Sequence, residues 1–240
     1  MTDPGESLDE LGYATMPGLV AASDCAALAA RWDEDGVFRK RVVMQQHGFG
    51  RGEYRYFDYP LPSLVQALRQ SLYAELAPIA NRWRAQLGLP SEFPATLEAY
   101  LEKCHGAGQT RPTPLVLRYE AGDFNCLHQD LYGEQVFPLQ ATVLLSDPAR
   151  DFTGGEFLLL EQRPRAQSRG EVVPLARGDA VIFAVRERPR RGARGFHRAQ
   201  LRHGVSRIRS GLRFSLGIIF HDAAQSLTQR SRKGQAQESE

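Results

Sequence analysis

From Pro112 onward the chain is written in short apolar runs, PLVLRY, LQATVLL, EFLLL, VVPL, AVIF and FSLGIIF, separated by clusters of Gly, Asp and Pro. Such runs are too short for buried helices, and the turn signals between them direct the chain into an antiparallel sandwich or jelly roll. Gly154-Gly155 reads as a turn between strands, where positive φ is needed, and Gly178-Asp179 as a turn leading into a buried strand. The stretch RERPRRGARG, dense in Pro, Gly and Arg, reads as a loop.

The N-terminal half has a different texture. Ser23 is placed to cap a helix running through Ala30, and Arg41–Met44 and Glu53–Tyr59 read as short strands. A longer helix is expected from Ser63, with Gln66 completing a capping box. Leu64, Leu68, Leu72, Leu76, Ile79 and Trp83 recur at helical spacing, and Pro78 is expected to divide or kink the run. A further helix is expected over Ala95–Lys103, ended by Gly106 and Gly108. Trp32 and Trp83 read as core. The segment Arg51-Gly52-Glu53-Tyr54-Arg55-Tyr56 fits a substrate-facing lid and a half-exposed strand equally well. The expected architecture is α+β: one domain over 1–223, with helical support over about 1–111 and a jelly-roll core over about 112–223. Residues 224–240, rich in Gln, Ser and charge, read as a flexible tail.

At 42% hydrophobic and 24% charged, 240 residues hold enough apolar material for a real core. No apolar run approaches the roughly 18 residues that span a bilayer, and the acidic start MTDPGESLDELG lacks the basic and apolar regions of a secretory signal. Cys25, Cys104 and Cys126 form neither a metal knuckle nor a disulfide framework, so the expectation is a reducing, cytoplasmic setting. Net charge is only +2, yet ten arginines and one acid, Glu187, lie between Arg186 and Arg213. That stretch suits phosphates or acidic partners, and equally a solvated loop.

The chemistry centres on Leu127-His128-Gln129-Asp130. On a strand, residues i and i+2 share a face, so this imidazole and carboxylate can converge on one metal. Ferrous oxygenases use two histidines and one carboxylate and keep the remaining positions open for substrates. A lone HxD is weak, because a simple His–Asp hydrogen bond produces the same pattern. The surrounding order strengthens it. Tyr119-Glu120-Ala121-Gly122 precedes HxD by five residues, and Thr153-Gly154-Gly155-Glu156-Phe157 follows it. The segment Leu175–Phe183 comes next, then His203-Gly204-Val205, and finally Arg213-Phe214-Ser215.

In this order the sequence resembles the 2-oxoglutarate/Fe(II) dioxygenase superfamily, in its prolyl-hydroxylase-like branch, over roughly 112–222. The resemblance implies a double-stranded β-helix (jelly-roll) core with N-terminal supporting helices. It implies that His128, Asp130 and His203 bind Fe(II). It implies that Arg213 pairs with the distal carboxylate of 2-oxoglutarate, aided by Ser215 and Tyr119, and that O2 is the second co-substrate. Decarboxylation would then yield succinate, carbon dioxide and an oxidant that takes hydrogen from the substrate. Among later histidines His203 is preferred to His197 and His221, because it heads an HxV pattern ten residues before Arg213. His197 lies nearer the longer spacing of alkylation-repair enzymes; His221, His47 and His105 read as surface or packing residues. Cys126 shares the His128 face of a regular strand, as a neighbour of the metal or as a small packed thiol.

The whole chain, GRGEYRYFDYPLP included, also resembles a bacterial oxygenase family labelled for oxidative demethylation of damaged DNA. That implies alkylated DNA or RNA as partner, extruded or single-stranded. The Arg207–Arg213 spacing fits alkylation-repair enzymes, although its place relative to His203 does not. The alternatives are hydroxylation of a protein or peptide side chain, as in prolyl hydroxylases, or of a small molecule. A non-catalytic metal-binding jelly roll serving as a sensor is the reading from another class.

Overall fold

A computed structural model describes residues 3–131, 133–193 and 195–224. The N-terminal half supplies helices α1 (Pro4–Leu11), α2 (Ala22–Ala30), α3 (Ser63–Gln86) and α4 (Leu97–Gly106). It also supplies strands β1 (Tyr13–Met16), β2 (Phe38–Val43), β3 (Gly50–Arg51), β4 (Glu53–Phe57) and β5 (Gln109–Arg111). Beyond it run β6 (Leu115–Glu120), β7 (Phe124–His128), β8 (Leu139–Leu144), β9 (Phe152–Gly154), β10 (Phe157–Gln162) and β11 (Arg169–Val173). The chain continues through β12 (Ala180–Ala184), β13 (Glu187–Gly192), β14 (Gly195–Val205), β15 (Ile208–Ile218) and β16 (Ala223–Ala224).

Apart from β5, which pairs with β16 in a small third sheet, the strands form two antiparallel sheets of the expected jelly-roll kind. The larger has the order β1-β12-β8-β15-β6-β4-β2, with β9 added to β15; the smaller has the order β11-β10-β14-β7-β3, with β13 added to β14. Alternation along β8 shows how the layers divide. Leu139, Ala141 and Val143 join the main core with Leu72, Leu76 and Trp83 of α3, while Leu144 packs with Tyr119, Phe152, Val205 and Ile208 between the sheets. The helices therefore cover the outer face of the larger sheet, and its inner face meets the smaller one.

Several local expectations change. Ser23 does not cap α2: the helix starts one residue earlier, Ala21 is its cap, and no side chain caps it. At α3 the cap is Pro62 rather than Ser63, so the capping box with Gln66 does not form. Pro78 does not divide that helix, which runs on to Gln86. An interior proline costs about 3 kcal/mol or more, but Ala77, Ile79, Ala80 and Trp83 are buried on both sides of it, and that tertiary packing prevails. Thr96 caps α4 by accepting from the Ala99 amide at 3.3 Å.

The segment expected as an arginine-rich loop is a hairpin. β13 pairs with β14, Arg188 opposite Ala199 and Pro189 opposite Arg198. Because β13 is an edge strand, the missing amide of Pro189 breaks no inner ladder. Arg188 is wholly buried, and its guanidinium donates to the Glu161 carboxylate at 2.9 and 2.6 Å. It also donates to the carbonyls of Asp9 at 2.7 Å and Glu10 at 3.0 Å, so an ionic core pins this arm to the end of α1. A second buried pair, Arg69–Asp222 at 2.8 Å, ties α3 to the chain just after β15. Of the expected tail, Ala224 is paired in β16, and 225–240 lie outside the described residues. No helix among the described residues is long and apolar enough to cross a membrane.

Candidate metal centre

The HxD pair sits at the end of a strand: β7 closes on His128, and Asp130 follows two residues later. The neighbouring strand β14 places His203 directly opposite His128, with the two imidazole centres 4.2 Å apart. Asp130 Oδ1 lies 3.5 Å from His128 Nε2, and Oδ2 lies 3.3 Å from His203 Nε2. One donor atom from each of the three residues falls within 4.8 Å of the others. Gln129, between the first two, turns away and donates to the carbonyls of Leu201 at 2.8 Å and Arg186 at 3.1 Å. Its amide staples the HxD backbone to β14.

The surroundings prepare each donor. His128 Nδ1 bonds to the Cys126 carbonyl at 2.8 Å, which orients the ring so that Nε2 faces Asp130. His203 is buried against the rings of Phe183 at 4.6 Å and Phe157 at 6.2 Å. Burial, then the charge of His128, holds the His203 imidazole below its ordinary pKa and so neutral. Burial also opposes a charged His128, but Asp130 outweighs it and lifts that imidazole. For Asp130, burial pushes upward and the two histidines prevail, holding the carboxyl well below its usual range. A neutral imidazole and an ionised carboxylate are the forms that bind metal. His203 and Asp130 are held in them, and a bound cation would displace the proton that Asp130 favours on His128. The donor types fit a two-histidine, one-carboxylate ferrous site.

The facing sheet carries the candidate anion anchor. Arg213 on β15 stands opposite Tyr119 of β6, and Ser215 stands opposite both Leu117 of β6 and Leu144 of β8. Directly opposed residues share a face, so Arg213, Ser215 and Tyr119 look into the same inter-sheet space as Leu144, Thr142 and Gln140. Gln140 reaches the triad, its Nε2 donating to Asp130 Oδ2 at 3.0 Å. Arg213 is wholly buried, donates through Nη1 to Ser215 Oγ at 3.2 Å, and leaves its Nε–H without an acceptor. Burial lowers its pKa to about 10, opposed by Tyr119 and Glu156, so it stays cationic at neutral pH. A buried cation with an unanswered donor fits an acidic ligand.

Gly154 and Gly155 take φ of 73° and 65°, the expected turn. A Cβ on Gly155 would also stand 3.0 Å from Arg213 Cδ and 2.3 Å from Ile208 Cδ1. Gly155→Ala is therefore expected to destabilise the protein by about 1–2 kcal/mol through the left-handed backbone alone. A thermal midpoint equal to wild type would refute that.

The remaining candidates separate cleanly. His197 pairs with Arg190 in the hairpin, six residues up β14 from His203, and is not part of the triad. His221 is wholly buried, a packing histidine whose Nδ1 accepts from the Phe137 amide at 3.3 Å. His47 stacks on Phe49, and His105 pairs with Asp222. The Cys126 thiol is exposed; its carbonyl, not its sulfur, serves His128. The 51–56 segment resolves as strand rather than lid: in β4, Tyr54 stands opposite Leu117, on the face of Arg213. Gln140 and Tyr54 are the site residues that motif reading did not single out. For Tyr54 the alternation in EYRYF was the available signal.

Chains of the same architecture have been solved. A Pseudomonas putida prolyl-4-hydroxylase matches with a TM-score of 0.54 at 15% identity, over 89% of this chain and 94% of that one. A 2OG-Fe(II) oxygenase family oxidoreductase from Burkholderia pseudomallei matches with a TM-score of 0.52 at 18% identity, over 92% and 91%. At such identities the likeness is one of fold, and the fold is that of the 2-oxoglutarate/Fe(II) oxygenases. An uncharacterized protein of Mycobacterium tuberculosis strain H37Rv is 54% identical over 193 residues, 78% of this chain and 83% of its own length. The model of an oxygenase family described as catalysing oxidative methylation of damaged DNA matches residues 52–223. The chain belongs to that oxygenase family.

Proposed function

We propose that this chain is an Fe(II)- and 2-oxoglutarate-dependent dioxygenase, carried by one domain over 1–223, that acts on alkylated nucleic acid. The observation that supports the first part is the convergence of His128, Asp130 and His203 on one sheet beneath a buried, unanswered Arg213 on the other. In this reading the triad holds Fe(II), while Arg213, Ser215 and Tyr119 hold the distal carboxylate of 2-oxoglutarate. Bound there, the iron, with 2-oxoglutarate and O2, supplies the power to oxidise an unactivated C–H bond. The protein's part is to orient the two acids and to exclude water, with Phe157 and Phe183 walling His203. Hydroxylation of an N-methyl group leaves a hemiaminal that loses formaldehyde.

The substrate class is supported by the family's description and by the β13–β14 hairpin. Its arginines divide by face. Arg188 and Arg190 turn inward onto Glu161. Arg191 opposes Phe196 on the other face, which also carries Arg198 and Arg202, all of them exposed. Phe196 is 43% exposed. Arg191 beside an exposed aromatic ring, with Arg198 (paired with Glu187 at 3.0 Å) and Arg202 further along the same face, suits a single strand whose phosphates meet the arginines and whose bases stack on the ring. The decisive assay is succinate and formaldehyde release with methylated single-stranded DNA, set against hydroxylation of proline-containing peptides. If DNA neither binds nor stimulates turnover, the nucleic-acid reading falls. Binding is also expected to weaken with salt, and the triple variant R191Q/R198Q/R202Q to flatten the log–log salt slope by about 2, at roughly 0.7 per phosphate contact. An unchanged slope would place the contacts elsewhere.

A further inference from the structure

We infer that Gln140 is the positioning residue for the metal-binding carboxylate, holding Asp130 from the opposite sheet in the orientation that meets both histidines. The inference rests on the proposed metal-binding role of His128, Asp130 and His203, and concerns a residue outside that set.

Asp130 lies past the last residue of β7, so the strand ladder does not set its side chain. Gln129 secures the backbone there, but a carboxylate can still turn about its own bonds. Gln140, by contrast, sits on β8 between β12 and β15, in a central strand of the larger sheet, opposite Phe183. It is 3% exposed. Its amide nitrogen lies 3.0 Å from Asp130 Oδ2 and 3.3 Å from His203 Nε2. An amide oxygen facing an ionised carboxylate would be repelled, so the charge of Asp130 fixes which end of the amide points at it.

Packing alone does not explain a glutamine here. The other inward residues of β8 are Thr142 and Leu144, and an apolar side chain of similar length would fill the place. Gln140 Oε1 is buried without a partner, an unfavourable state for a polar group. The useful half of the side chain is the donor on Asp130. A hydrogen bond to one oxygen favours presentation of the other to a metal. Untied, the carboxylate can turn to present both, at the expense of the position that O2 needs. The rigid strand beneath Gln140 makes this hold precise, whereas Asp130's own backbone does not.

The test uses the full chain stripped of metal by chelation, with Co(II) as the probe. Gln140→Met keeps the length and apolar packing without the donor. Gln140→Glu keeps the size and puts an acceptor in the donor's place. Thr142→Val, the next residue of β8 on the same face, is the control. Both Gln140 variants are expected to shift the visible spectrum of bound Co(II). Gln140→Met is expected to weaken Co(II) binding by about 10- to 100-fold, the usual effect of removing a partner of a metal ligand. Its thermal midpoint without metal should equal or exceed wild type. In turnover kcat should fall while the KM for 2-oxoglutarate, set at Arg213, holds. A residue that merely packs would move the midpoint and leave the spectrum alone. Co(II) affinity within twofold of wild type and an unaltered spectrum in Gln140→Met would overturn the inference. Failure of the wild type to bind Co(II) would instead sink the metal-centre reading beneath it.

Discussion

Replacing His128 with alanine is expected to reduce succinate formation from 2-oxoglutarate to that of a reaction without protein, while the chain stays folded. The structure makes this a clean experiment. His128 ends a strand and is only half buried, so its loss opens no large core cavity. His203→Ala would be less clean, because that ring packs against Phe183 and Phe157. Three donors become two, a larger loss than the about 10- to 100-fold that follows when only a ligand's partner is removed. Succinate assay, Co(II) titration and thermal unfolding, made together, check the result. His197→Ala is the companion, expected to turn over as wild type does because the hairpin keeps it out of the triad. Turnover persisting in His128→Ala would end the metal-centre reading; loss in His197→Ala would revive the longer histidine-to-arginine spacing.

The order Tyr119, His128, Asp130, His203, Arg213, Ser215 was picked out by motif order and a family resemblance, and each of these residues sits near the end or on the inner face of a strand. In β8 the alternation itself separates Leu139, Ala141 and Val143 from Gln140, Thr142 and Leu144. What could not be read depends on partners that only folding brings together. The arginine-rich hairpin looked like a loop because its core is ionic. Arg188 is buried by Glu161, 27 residues away, and by carbonyls of α1, none of which hydropathy registers. Gln140 read as part of an apolar run, since its carboxylate partner lies on the other sheet. The helix starts failed in the same way: Ala21 and Pro62 hold positions that serine would take in an isolated helix, because burial of Cys25, Leu28, Val65 and Leu68 decides where those helices begin.

Arg213→Met should separate stability from ligand binding more sharply than any other change in the molecule. The guanidinium is wholly buried and makes no ion pair with an acid among the described residues; its neighbours are Ser215 and the rings of Tyr119 and Phe152, 5.7 and 5.8 Å from the guanidinium carbon. Burying a charge without a counter-charge is unfavourable, and apolar replacements of buried charged groups are often neutral or stabilising. The thermal midpoint of Arg213→Met is therefore expected to match or exceed wild type. Binding of 2-oxoglutarate should collapse. Removing one partner of a buried charge pair costs about 2–5 kcal/mol, roughly 30- to 5,000-fold in affinity. Arg213→Lys keeps the charge but not the planar fork, and should fall between the two. Calorimetry of 2-oxoglutarate binding to the Co(II) protein, beside unfolding of each variant, makes the comparison. If Arg213→Met binds 2-oxoglutarate within threefold of wild type, the anchor lies elsewhere. If it loses several degrees of stability as well, the cation is already answered by the protein and is no empty hand held out for an acid.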